Sequence, residues 1–257
     1  MNEHDDLIKE LENIVEQDYE KFYAIVYRIT ESHQDTEDVL QNSFLKAYKN
    51  LKNFRKQSKL STWFYRIAIN ESYRYMQSWN KLPVIAIVED LNINETTFFG
   101  NLEYDENFAD VLIVEEMREK CIRGFLKCVP QKMRVVFLLK TCIDLKNKEI
   151  AEILEIKENN VKVLLHRARK QLKEMFEYRC NLIDSSKPCK CYLWIKYMKD
   201  HDYPIPEGHN QYKNNELLTI HFKNMSKLKK MHYLFQVENT MDKDTFIAKI
   251  KTLSEIL

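Results

Sequence analysis

The chain has 257 residues, with only three glycines and five prolines. That length holds two or three small domains, and so few turn-forming residues exclude a strand-rich architecture, so an all-α fold is expected. The net charge of +1 hides strong segregation: 12 acidic against 3 basic side chains over 1–43, 9 basic against 1 acidic over 44–81, 9 acidic and none basic over 82–117, and 15 basic against 7 acidic over 118–176. Two basic blocks around an acidic one predict two polyanion-binding modules joined by a segment that avoids nucleic acid. The best apolar runs, Val84–Val88 and Val135–Leu139, are too short to cross a bilayer, and Met1–Glu10 lacks a signal-peptide core. No membrane partner and a cytoplasmic location are therefore expected, with the six cysteines as thiols or metal ligands rather than a disulfide framework.

In chain order, Leu7, Leu11, Ile14, Val15, Phe22, Ile25, Val26 and Ile29 recur at helical spacing and predict one amphipathic helix over 5–30. A second helix is predicted from Asp35 to about Phe54. Asp35, Asp38 and Gln41 lie three apart and share one helix face, which Phe44, Leu45 and Tyr48 continue with apolar side chains. An acidic patch beside exposed apolar anchors suits a protein interface, although Leu45 and the aromatics also fit a core. Ser61 or Thr62 is expected to cap a third helix running to about Asn80. Residues 54–79 interleave Arg55, Lys56, Lys59, Arg66 and Arg74 with Phe54, Trp63, Tyr65, Tyr73, Tyr75 and Trp79. Cations neutralise phosphates and aromatic faces stack on unpaired bases, a combination suited to single-stranded nucleic acid. Trp63, Ile67 and Tyr65 read equally well as core. Residues 84–110 show no sustained period and are expected to be an extended acidic linker.

A second helical block spans about 111–178. Within it, Ile150, Ile153 and Leu154 make one buried face, Val161, Leu164, Leu165 and Ala168 make another, and Ile156 lies in the short turn between. That spacing is a helix-turn-helix, whose second helix enters the major groove through its N-terminal residues. Lys157, Glu158, Asn159, Asn160, Lys162 and Val163 are the candidate base readers. His166, Arg167, Arg169 and Lys170 lie within reach of phosphates. An ordinary helical hairpin with a solvated basic surface competes with this reading. Glu155 stands where such turns need a left-handed residue, at a cost of about 1 kcal/mol for a non-glycine side chain.

The run Asp35-Thr36-Glu37-Asp38-Val39-Leu40-Gln41-Asn42-Ser43-Phe44-Leu45-Lys46-Ala47-Tyr48, the run Leu60-Ser61-Thr62-Trp63-Phe64-Tyr65-Arg66-Ile67-Ala68-Ile69-Asn70, and Val161-Lys162-Val163-Leu164-Leu165-His166-Arg167-Ala168-Arg169 together resemble the extracytoplasmic-function group of bacterial RNA polymerase sigma factors. The resemblance covers roughly 10–178. It implies sigma domain 2 over 1–81, an acidic linker over 82–112, sigma domain 4 over 113–178 and a further extension over 179–257. It also implies a non-enzymatic subunit that needs no cofactor. Its partners are core RNA polymerase, gripped at the clamp coiled coil by Asp35, Asp38, Gln41, Phe44, Leu45 and Tyr48, and promoter DNA, both duplex and melted. Phe54, Arg55, Lys56, Lys59, Trp63, Arg66, Asn70 and Arg74 would read and melt the minus-ten element, with Asn70 in or beside a pocket for an extruded base. By the same resemblance, the linker threads channels of the polymerase that RNA later occupies. A stand-alone helix-turn-helix regulator remains the alternative, but it leaves the Asp35–Asn70 block without a task. An enzyme lacks support, since no Gly-rich phosphate loop, HExxH or paired nucleophile and base occurs.

The extension opens with Cys180, Cys189 and Cys191, three thiols in twelve positions, suited to one soft metal such as zinc with His201 or His209 as a fourth ligand. Reduced, partly buried cysteines are the competing reading, and core packing is expected for Cys121, Cys128 and Cys142. Further helical patterns over 214–236 and 242–257 suggest a tail that regulates promoter or polymerase access in place of a separate anti-sigma factor.

Overall fold

The computed structural model describes residues 3–76, 81–102 and 111–205. The helical patterns over 214–236 and 242–257, and the candidate ligand His209, lie outside the described residues. Eleven α-helices carry the described fold, with no strand among them: α1 (Glu3–Gln17), α2 (Tyr19–Thr30), α3 (His33–Asn50), α4 (Leu60–Ser72), α5 (Pro83–Asp90), α6 (Glu95–Gly100), α7 (Val111–Lys127), α8 (Gln131–Thr141), α9 (Asn147–Leu154), α10 (Glu158–Arg179) and α11 (Cys191–Asp200). These residues group into two compact units, one from 3–76 with 131–166 and the other from 81–102 and 111–130 with 167–205; α10 runs through both.

In the first unit α2 is the axis. Tyr19, Phe22, Tyr23, Ile25, Val26 and Ile29 are all buried, because α1, α3, α4 and α8 each pack against it. Phe22 meets Phe64 edge-on at 4.7 Å and Tyr65 at 4.3 Å, the offset arrangements that aromatic quadrupoles favour. The single helix expected over 5–30 is two helices: Asp18, at φ −102° and ψ 14°, leaves the helical region between α1 and α2. Its carboxylate takes the Lys21 ammonium at 2.7 Å. The break is invisible to periodicity because Leu11 and Val15 before it, and Tyr19 and Phe22 after it, all turn to the same core.

Helix α3 starts two residues earlier than predicted. Ser32 caps it, accepting the Asp35 N–H at 3.2 Å, while Thr36 donates to the Ser32 carbonyl at 2.7 Å and shares a hydroxyl contact of 2.7 Å with Thr30. Such a cap satisfies N–H groups that have no partner inside the helix. The α3 seam then buries Val39, Leu40, Phe44 and Ala47. Helix α4 begins at Leu60, one residue ahead of the expected Ser61 or Thr62 cap, and ends at Ser72 rather than near Asn80. Later in the same unit, α8 is buried nearly all round through Val135, Val136, Leu138 and Leu139, and α9 buries Ile150, Ala151 and Ile153.

The expectation of an extended linker over 84–110 is corrected over its described part, 84–102, because 83–90 and 95–100 are helical. Pro83 opens α5 at the one helical position where a missing N–H costs nothing. The Asn94 side chain accepts the Thr97 N–H at 2.8 Å to cap α6. The apolar residues that escaped the period count, Val84, Val88, Phe98 and Phe99, are buried. Phe98 and Phe99 close on Trp194 of α11 at ring separations of 6.0 and 5.8 Å, and Phe98 on Tyr197 at 5.3 Å. Glu95 pairs with Arg179 at 2.8 Å with both side chains mostly covered. Helix α11, which sequence periodicity did not show, is thus the lid of this acidic segment, and α7 packs on it from another side. Phe125 stacks on Phe176 at 4.2 Å, tying α7 to the end of α10.

Candidate nucleic-acid interface

The α9–α10 corner is tight. Glu155 adopts the left-handed conformation, φ 54° and ψ 42°, and its N–H returns to the Ala151 carbonyl, as a turn at this point requires. The Ile156 N–H reaches the same carbonyl at 3.0 Å. The Glu149 carboxylate accepts the Lys146 N–H at 2.8 Å, fixing the start of α9. From this corner α10 alternates with helical period. Val161, Leu165 and Ala168 are buried, while Lys157, Glu158, Asn159, Asn160, Lys162, Val163, His166, Arg167 and Lys170 are all exposed. The apolar member of that set, Val163, is 41% exposed, open to a thymine methyl. Glu158 pairs with Lys162 at 3.3 Å and Lys170 with Glu174 at 3.9 Å, exposed pairs that phosphates can displace at little cost.

On α4 and its approach, Arg55, Lys56, Lys59, Asn70 and Arg74 are exposed, and Phe54 and Trp63 are half-buried with their rings 5.3 Å apart. Lys56 holds a left-handed backbone, φ 54°, and Arg74 lies over the Tyr75 ring at 4.9 Å. Tyr65, open between core and site on sequence grounds, is core: it is 4% exposed, its hydroxyl has no hydrogen-bond partner among the described residues, and burial pushes its pKa far up. Ile67 is half-buried. Trp79 lies outside the described residues. Arg66 is only partly exposed because its guanidinium is engaged by α9. Nη1 donates to the Glu155 carboxylate at 2.6 Å and Nη2 to the Glu152 carbonyl at 2.6 Å.

On α3, Asp38 is exposed and Asp35, Gln41, Leu45 and Tyr48 are half-buried, so these five share an accessible face. Phe44 does not belong with them. It is 0% exposed and is a core residue, because position 44 falls on the Leu40–Ala47 seam that faces α2 and α4.

The cysteines of the second unit gather. The Cys189 N–H donates to the Arg179 carbonyl at 3.2 Å and the Asn181 N–H to the Cys189 carbonyl at 3.0 Å, so the Cys180 and Cys189 backbones lie side by side. Trp194 Nε1 donates to Cys189 Sγ at 3.3 Å. Burial pushes the Cys121 thiol well above its ordinary range, and the charges of Cys189, Cys191 and Cys180 act on it in turn. Cys121, assigned to plain core packing by the sequence, thus faces the three tail thiols, and Arg118, one turn before it on α7, hydrogen-bonds Cys191. His201 does not join them. It stacks on Tyr197 at 4.2 Å at the far end of α11, ten residues or roughly 15 Å from Cys191. Among the described residues, no three His, Cys, Asp or Glu side chains already stand as a metal-holding group. Cys142, in the first unit, is half-buried, and desolvation pushes its thiol up to about 11.

Burial raises Cys189 to about 12 and Cys191 to about 11, so the metal-free folded chain keeps protons that the unfolded chain gives up above the ordinary thiol value of 9.0. This part of the stability is complete below that value and is lost as pH rises toward 11 and 12. The urea midpoint is expected to fall from pH 8 to pH 10. Iodoacetamide at pH 8 is expected to modify Cys189 and Cys191 at least about tenfold more slowly in the folded chain than in urea, read by mass spectrometry.

A helix-turn-helix with an exposed reading face, and a second helical element bearing cations and aromatics, define a DNA-binding transcription factor with two recognition elements. The comparisons sharpen this. The model for Sigma-70 region 2 matches residues 14–81 and that for Sigma-70, region 4 matches residues 119–172. The chain is 30% identical over 138 residues to the ECF RNA polymerase sigma-E factors of Salmonella typhimurium and Escherichia coli K12, covering 54% of this chain and 72% of each relative. It is 30% identical over 155 residues to the ECF RNA polymerase sigma factor SigW of Bacillus subtilis, covering 60% of this chain and 82% of that protein. The chain belongs to the ECF sigma factors, and it binds core RNA polymerase and directs it to promoters to initiate transcription. The region 2 match leaves the stand-alone regulator unfavoured. No helix among the described residues is long and apolar enough to cross a membrane.

Proposed function

We propose that α10 reads the upstream promoter element in the major groove while Phe54, Arg55, Lys56, Lys59, Trp63, Arg66, Asn70 and Arg74 hold the melted minus-ten strand. The observation that carries this is the alternation on α10, where Val161 and Leu165 are buried beneath an exposed face of Asn159, Asn160, Lys162 and Val163. Stacking of exposed bases contributes about 1–3 kcal/mol each, which offsets the few kcal/mol of unstacking. Melting is then a binding equilibrium that needs no ATP. The outer face of α3, with Asp35, Asp38, Gln41, Leu45 and Tyr48, is the surface for the polymerase clamp. In vitro transcription with core polymerase and a fragmented genomic library tests the reading. RNA chains from templates sharing one two-part motif are expected, and a correctly folded chain that starts none on any template rejects it.

The tail supports a second reading, a soft-metal site such as zinc at Cys180, Cys189 and Cys191, with Cys121 in place of His201. What favours it is the donor chemistry, four thiols around one buried neighbourhood beside the cationic Arg118, since a metal deprotonates its thiolates outright and a nearby cation offsets their charge. Such a site would let the tail regulate the sigma domains in place of a separate anti-sigma factor. Titration with Co²⁺ is expected to give thiolate charge-transfer absorption saturating near one equivalent and absent in Cys189→Ser/Cys191→Ser; no absorption in the reduced wild-type chain rejects the site.

A further inference from the structure

Cys189 is touched on two sides by residues that also hold α6. The Arg179 carbonyl accepts the Cys189 N–H at 3.2 Å, and the Arg179 guanidinium pairs with Glu95, the first residue of α6, at 2.8 Å. Trp194 Nε1 donates to Cys189 Sγ at 3.3 Å, while its ring meets Phe98 at 6.0 Å and Phe99 at 5.8 Å. All of these residues belong to one compact unit. Helix α6 has six residues, and isolated helices shorter than about 12 are marginal in water because nucleation is unfavourable. It therefore persists through its docking, and the docking runs through Trp194 and Arg179.

We propose that Trp194 couples the thiol cluster to α6, so that a soft metal held at Cys121, Cys180, Cys189 and Cys191 tightens the grip on residues 95–100. This rests on the metal reading of those thiols given above. A sulfur that ligates a metal carries more negative charge than a thiol and is a better acceptor, so the indole bond to Cys189 becomes charge-assisted. The same indole is the surface against which Phe98 and Phe99 close, so fixing its N–H fixes the seat of α6. Trp194 is thus a positioning residue that ligates nothing itself. The output of the site is the acidic stretch between regions 2 and 4, rather than either DNA-reading helix. With metal the stretch is pinned to α11; without it, α6 leaves its seat more often. The coupling is reciprocal: the factor that metal adds to the docking of α6, docked α6 adds to the affinity for metal.

Hydrogen exchange of the full-length reduced chain, read by mass spectrometry with and without one equivalent of Co²⁺, tests this. The reporters are the amides of Thr97, Phe98 and Asn101, bonded to Asn94 Oδ1, the Asn94 carbonyl and the Thr97 carbonyl. Exchange at such sites follows local opening, and it is expected to slow about tenfold when Co²⁺ binds. Trp194→Phe keeps an aromatic ring toward Phe98 and Phe99 but loses the N–H. It is expected to bind Co²⁺ about tenfold more weakly, as loss of a hydrogen-bond partner of a ligand does. At saturating Co²⁺ its reporter amides should slow less than about twofold. Phe99→Ala carries every thiol but loosens α6, and by reciprocity its Co²⁺ affinity should also fall about tenfold. Wild type that binds Co²⁺ with unchanged exchange overturns the coupling and leaves the metal site standing, and this arm decides even where a variant folds poorly. Full slowing in Trp194→Phe, or parental Co²⁺ affinity in Phe99→Ala, overturns it as well. Absence of thiolate absorption with Co²⁺ overturns the metal reading and the coupling together.

Discussion

Phe22→Ala is expected to destabilise the first unit by about 3–5 kcal/mol. Phe22 is 1% exposed at the crossing of α2 and α4, with Phe64 edge-on at 4.7 Å and Tyr65 at 4.3 Å. Truncating such a ring costs about 3–5 kcal/mol from lost transfer energy and the cavity left behind. The two ring contacts contribute about 0.5–1.5 kcal/mol each beyond burial. Against a total stability of roughly 5–15 kcal/mol for a domain, that is a large fraction. Urea titration followed by circular dichroism should show the midpoint collapse with the slope unchanged if the unit unfolds as one. Leu91→Ala, at a side chain 55% exposed just after α5, should stay within about 0.5 kcal/mol of the parent. If Phe22→Ala instead lies within 1 kcal/mol or so of wild type, α2 is not the axis of this core.

The helix-turn-helix was legible because its determinants are local. Ile150, Ile153, Val161 and Leu165 carry the 3.6-residue period themselves, and the anomaly at Glu155 was visible as a residue type in the wrong conformation. The partner that makes sense of Glu155 was not visible, since Arg66 lies 89 residues away and no periodicity connects the two. The same holds for Cys121, whose spacing within α7 marks it as core and whose tail partners arrive only when α11 docks. Residues 83–100 failed for a different reason. Helices of eight and six residues are too short to show a period, and their density of Asn, Asp and Glu masked four buried apolar side chains, of which Phe98 and Phe99 close on the tail. Phe44 shows the limit of face arguments: 41, 44, 45 and 48 neighbour one another on a helix, but only the packing of α2 and α4 decides which side of 44 is inside. Helix caps fall between these cases, since Ser32 carries the right side chain, yet the predicted start at Asp35 followed the acidic run instead.

Neutralising the basic rim of α10 should change the salt dependence of duplex binding more than any other property. Lys157, just before α10, and Lys162, Arg167 and Lys170 on it are all exposed, and each phosphate neutralised releases condensed counterion, adding about 0.9 to the slope of log K against log salt. Replacing all four by alanine is expected to flatten that slope by about 3 to 4. The helix should survive, because none of the four is buried and alanine is the best helix former. Removing Lys162 frees Glu158 from its 3.3 Å pair, and removing Lys170 frees Glu174, so uncompensated carboxylates then repel the backbone and push the loss upward. Asn160→Ala should behave in the opposite way. An amide bonded to a base edge is worth about 1–3 kcal/mol of discrimination at one position, so affinity for the preferred promoter falls roughly 5- to 150-fold while mixed-sequence duplex and the salt slope are nearly unchanged. Anisotropy titrations from about 50 to 200 mM salt distinguish the two kinds of residue. A quadruple variant that keeps the parental slope would remove α10 from the phosphate backbone, and with it the docking of this helix in the groove.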